Sequence, residues 1–124
     1  MKAAVIILSD PKAESEEALG RLFNGLAAAY DFKHRGDTVT ILFQGAGTRW
    51  AGKIVQEAHP AHQLYKAVQD CVAGVSCGCA DVFDAKDDAV KNGFALIADN
   101  AVPGTTGLPS LQTLATEGYH IMIF

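Results

Sequence analysis

A chain of 124 residues with 49% hydrophobic and 19% charged side chains is too apolar for disorder, and is long enough to bury roughly two thirds of its unfolded surface as a single domain, 1–124. Its formal net charge of −4 and pI near 5.4 offer no basic stripe for nucleic acid. No apolar run approaches the roughly 18 residues of a membrane span.

Residues 3–8 (AAVIIL) are a continuous apolar run, as expected of a strand covered on both faces. The run is too short for a secretory signal and has no small-residue cleavage site, so a cytoplasmic protein is expected. Asp10-Pro11 reads as a helix N-cap and first helical position, followed by Glu14, Glu16 and Glu17. Ala18, Leu19, Leu22, Phe23 and Leu26 form the apolar stripe of that helix, which ends near Tyr30. Residues 38–43 (TVTILF) are the second strand, closed by Gln44-Gly45-Ala46-Gly47. Residues 48–58 read as a short helix or an irregular lid.

After Pro60, Leu64, Ala67, Val68, Cys71 and Val72 recur with helical spacing, and Gly74 ends the helix. Val75–Cys77 is the third strand, with a helix from about Cys79 to Phe83. Residues 86–97 are a helical stretch, Asn100–Pro103 a very short fourth strand, and Ser110 caps a last helix before the final strand, 119–124. Strands alternating with helices predict an α/β fold, a three-layer sandwich whose mostly parallel sheet of about five strands carries helices on both faces.

Three cysteines, an odd number without framework spacing, read as reduced thiols. Cys71 lies on the buried stripe and reads as a small core residue. Cys77 and Cys79 stand where a strand yields to a helix, at the sheet edge where α/β proteins gather their chemistry. A helix start also favours a thiolate there. Asp81 and Asp84 oppose it, and no basic residue lies between Ala67 and Ala85. Arg49, after the second strand on the same edge, is the candidate cation.

His59 and His62 share that edge, yet C-x-C with H-x-x-H does not match zinc spacing, so no metal is expected. Gly45-Ala46-Gly47 lacks the third glycine of a dinucleotide fingerprint, where Trp50 stands instead, and no Walker lysine follows. No cofactor is expected.

The strands AAVIIL and TVTILFQG, the loop TRW, and the segments LYKAVQDCVAG, GVSCGCADVFDA and PSLQTLATEGYHIMIF together resemble the DsrE/DsrF-like family. These are small, flavodoxin-related α/β proteins of bacterial sulfur metabolism. The resemblance implies that Cys77 or Cys79 accepts persulfide sulfur and passes it on, making the chain a sulfur carrier or sulfurtransferase with donor and acceptor protein partners. It also implies assembly as a trimer or hexamer. Relatives often carry two residues between the cysteines and an arginine-glycine after them. Here one residue intervenes, and Phe83-Asp84-Ala85-Lys86 follows. The alternative is an oligomeric small-ligand-binding or scaffold protein with passive cysteines, in which Arg49, Trp50 and Tyr65 line the site.

Overall fold

The apolar N-terminal run forms strand β1 (Lys2–Ile7), buried from Ala3 onward. In the computed structural model, which describes residues 1–124, it is flanked on both sides in a five-stranded sheet. The other strands are β2 (Thr38–Phe43), β3 (Val72–Ser76), β4 (Leu96–Ile97) and β5 (His120–Ile123). Their order is β4-β3-β2-β1-β5, and every pairing is parallel. Continuous apolar sequence therefore goes to the sheet's interior, as parallel strands covered on both faces require.

Helix α1 (Glu16–His34) starts later and ends later than the sequence pattern indicates. Asp10-Pro11 opens only a 3-10 turn, Pro11–Ala13, because Glu14 adopts a left-handed conformation (φ 49°) and breaks the run. Ser15 then caps α1 by accepting the Ala18 N–H at 3.0 Å, with Glu16 and Glu17 favourably placed in the first turn. At the far end Lys33 donates to the Ala67 carbonyl and to Asp70, and these contacts hold the last turn beyond Tyr30.

Leu22, Leu26 and Ala29 of α1 pack against Val5, Ile7, Ile41, Phe43 and Val75 in one core. Alternation along the strands turns Thr40 and Leu42 to the opposite face, where they line a cavity together with Thr113 and Leu114 of α5 (Leu111–Thr116). The result is the three-layer α/β sandwich. No helix is long and apolar enough to cross a membrane.

The connection from β2 to β3 is a 3-10 segment, Gly45–Gly52, then turns and α2 (His62–Val68). Cys71 and Val72 leave the helix: a second 3-10 turn, Gln69–Cys71, precedes β3. Gly74, expected to stop a helix, lies inside β3. Helix α3 (Cys77–Val82) follows that strand directly, two residues ahead of the expected start. The stretch 86–97 divides into α4 (Lys86–Lys91), a turn at Gly93 (φ +81°) and β4. The fourth strand is thus 96–97, not 100–103. Asn100 instead pairs with Leu108 in an antiparallel bridge, closing a flap of residues 100–108.

Candidate functional site

Strand β3 delivers Ser76 and Cys77 to the carboxyl edge of the sheet. Ser76 is fully buried and caps α3 by accepting the Cys79 N–H at 3.3 Å, which fixes Cys77 as the first helical residue. Cys77 is 8% exposed, with Sγ 3.2 Å from Thr106 Oγ1. Thr106 donates its hydroxyl to Asp81 Oδ2 at 2.6 Å, and Asp81 pairs with Lys86 at 3.1 Å. The Thr106 hydroxyl, and after it the Lys86 ammonium, hold the Asp81 carboxyl below its usual range. Asp81 in turn raises Lys86, with a smaller contribution from Cys77.

The flap lies across this chain. Gly107 accepts the Gly78 N–H at 2.7 Å. A Cβ at Gly78 would stand 2.8 Å from Leu108 Cδ1 and 3.0 Å from the Gly107 oxygen. The N–H groups of Gly78 and Cys79, expected to face a sulfur anion, are thus engaged by the flap and by Ser76. None of the molecule's cavities is lined by Cys77 or Cys79.

All three cysteines are free. Cys79 is half-buried, one turn before Phe83. Cys71 packs against the core as expected. Burial, then the Asp70 charge, pushes its thiol up, and Lys33 offsets this in part.

The DsrE/DsrF-like family model matches residues 1–124, the whole chain. The chain belongs to the DsrE/DsrF-like family. Among its relatives is the uncharacterized protein MJ0733 of Methanocaldococcus jannaschii, 28% identical over 122 residues, a match spanning 98% of this chain and 94% of that protein. No solved structure gives a significant match.

In this DsrE-like protein Arg49 does lie on the carboxyl edge, but it faces away from Cys77. Its Nε donates to the Phe83 carbonyl at 3.0 Å and Nη1 to Asp10 at 3.0 Å, with the guanidinium over the Phe83 ring. Phe83 ends α3, so about 9 Å of helix axis separates that anchor from Cys77. Burial works to raise the Asp10 carboxyl, but the Lys12 N–H and Arg49 outweigh it and hold it low. Arg49 lines a polar cavity of about 340 Å³ with Lys12, Lys53, Gln56, Asp84 and Asp88.

Trp50 is 3% exposed and donates Nε1–H to the Ser9 carbonyl at 2.8 Å, its ring edge-on to His59. Tyr65 is also buried and stacks on Phe94. Both residues are built into the core. His59 Nδ1 accepts the Ala61 N–H, and burial, then Lys53 and His62, holds its ring below the ordinary imidazole range. His62 turns to the Ile54 carbonyl.

The structure gives three residues parts that the sequence alone does not assign. Asp81 stands four positions after Cys77, a spacing that marks a shared face once the helix start is placed correctly. Lys86, the residue immediately after the base-free stretch that ends at Ala85, supplies the cation that Arg49 does not. Thr106 comes from a loop 29 residues beyond Cys77 and carries no local signal.

Proposed function

We propose that this DsrE-like protein is a cytoplasmic sulfur carrier that holds sulfane sulfur as a persulfide on Cys77. One observation carries the reading: of the three free thiols, Cys77 alone stands at the carboxyl edge with its sulfur on a hydroxyl–carboxylate–ammonium chain. Family membership supports it, and a reducing compartment suits three unpaired thiols. Cys79, two residues on and without a polar partner for its sulfur, is the nearest second thiol to receive or relay the sulfur.

The test is intact-protein mass after incubation with a small persulfide donor, on wild type and on Cys71→Ser, Cys77→Ser and Cys79→Ser. The expected result is a gain of one sulfur atom, removed by reductant, in every protein except Cys77→Ser. Loss only in Cys79→Ser would move the carrier to that thiol. No adduct, or one spread over all three thiols, would end the carrier reading.

A second reading rests on the cavity beside Arg49, since no cavity opens on a thiol. There Lys12 and Lys53 make no side-chain hydrogen bond within the chain and face Asp84 and Asp88. A small ligand bearing both charges would be held by Arg49, the lysines and the two carboxylates, with the cysteines passive.

We extend the proposal to a homo-oligomer, a trimer or hexamer. Val82 on the thiol helix α3 and Val90 on α4 are 72% and 57% exposed, and apolar side chains so placed are suited to a subunit contact. A monomeric mass by light scattering at micromolar concentration would count against assembly.

A further inference from the structure

Cys77 and Asp81 lie four residues apart on α3, so both side chains face the flap. Thr106 sits between them, 3.2 Å from the sulfur and 2.6 Å from the carboxylate. A threonine hydroxyl has one proton to give. An ionised carboxylate only accepts, so that proton points at Asp81, and the contact with sulfur is made by the Cys77 S–H donating to Oγ1. A thiolate has nothing to donate. It keeps the contact only if Thr106 turns its proton to the sulfur, leaving Asp81 to Lys86 alone. The charged groups of this hydrogen-bonded chain are Asp81 and Lys86, with Asp87 on α4 also acting on Lys86, and residues 100–108 of the flap contain no ionisable side chain.

Taking Cys77 as the reacting sulfur, we propose that Thr106 is its positioning residue and Asp81 the group that keeps it idle. One hydroxyl proton serves either the carboxylate or the sulfur, and Cys77 becomes a nucleophile when Asp81 gives that proton up. The thiol proton leaves to solvent base as Thr106 rotates onto the sulfur. The sulfur lone pair then bonds to the outer sulfur of the donor persulfide, the donor's S–S bond breaks, and its inner sulfur departs with the electron pair as a thiolate. One S–S bond is exchanged for another, with no net oxidation. Lys86 matters because it lets Asp81 remain charged after losing the hydroxyl.

The test is the rate of iodoacetamide alkylation of Cys77, followed against pH in a Cys71→Ser/Cys79→Ser background. Asp81→Asn removes the negative charge and replaces the ionised acceptor of the Thr106 proton with a weaker, neutral one. It is expected to speed alkylation about tenfold at neutral pH, the effect of a one-unit shift in thiolate formation, with the rate curve displaced to lower pH and its plateau unchanged. Thr106→Ser keeps the hydroxyl and stays within about twofold of the parent. Adding Thr106→Val to Asp81→Asn returns the rate severalfold toward the parent, because the anion loses its donor.

A flap that merely shields the sulfur gives the reverse order, since each weakening uncovers it further and raises the plateau. A double variant faster than Asp81→Asn, or Asp81→Asn equal to the parent, would overturn the assignment. Alkylation needs no persulfide. If sulfur loading fails while this rate pattern holds, Thr106 still positions a thiol and only the sulfur chemistry is wrong.

Discussion

Gly74→Ala is expected to cost the fold about 3 kcal/mol, from a strained backbone and an overpacked contact together. For a domain of this size that lowers the melting midpoint by roughly 10 °C. Gly74 has φ +154°, a conformation L side chains rarely adopt, and its Cβ would run into the Ala95 carbonyl oxygen. The same oxygen accepts the Val75 N–H at 2.9 Å, so it cannot retreat without breaking the link that leads into β4. The pairing register between β2 and β3 also shifts between Ile41 and Leu42, next to Gly74, which leaves little slack in the strand that carries Ser76 and Cys77. Gly20→Ala is the control. Nothing lies within 4 Å of a Cβ there, and a mid-helix alanine is expected to stabilise by about 0.5–1 kcal/mol. Thermal and urea melts followed by circular dichroism read both. A Gly74→Ala midpoint indistinguishable from wild type would mean that β4 is not fixed by this close approach.

The same glycine shows where sequence reasoning stops. Cys71 and Val72 continue the helical spacing of Leu64, Ala67 and Val68, and glycine after such a run is an ordinary stop signal. It is equally the residue of close backbone approach. Only Ala95, far along the chain, decides between the two. Strands β1 and β2 were legible because burial on both faces demands a long apolar run, and the fold class followed from them. Strand β4 is two residues long and has no pattern to show. Ser15 and Asp10-Pro11 carry the same capping signal a few residues apart, and only the left-handed Glu14 makes Ser15 the cap of α1.

The candidate site divides along the same line. Local order placed Cys77 and Cys79 at a strand-to-helix turn, and placed Arg49 on the right edge. It could not say which carboxylate a guanidinium would meet, and Arg49 found Asp10. The Cys77–Asp81 spacing puts both on one helix face only when α3 starts at Cys77 rather than Cys79. With the later start, Asp81 appears only as a nearby repelling charge. Its hydrogen bond to Thr106 makes it a competitor for a proton, a different role with a different remedy.

Gly78→Ala is expected to expose Cys77 to alkylation about tenfold or more while leaving the fold nearly as stable. Within a helix, alanine is preferred over glycine by about 1 kcal/mol, which favours α3 itself. The strain falls elsewhere: a Cβ would stand 2.8 Å from Leu108 Cδ1, 3.0 Å from the Gly107 oxygen and 3.2 Å from Thr105 Cβ. The Leu108 side chain can turn aside. The Gly107 carbonyl cannot, because Gly107 holds φ +105° with its own back against Ala98. The flap must therefore lift, taking with it the Gly78 N–H bond and the Thr106 contact. Overpacking of about 1–3 kcal/mol then acts on flap closure, and each 1.4 kcal/mol multiplies the open population about tenfold. Lifting raises the alkylation rate at every pH, whereas Asp81→Asn displaces the curve along the pH axis. The two variants thus separate access to the sulfur from control of its proton. A Gly78→Ala protein that melts much earlier, with Cys77 no more reactive, would place the strain in the sheet and remove the flap as the cover of this thiol.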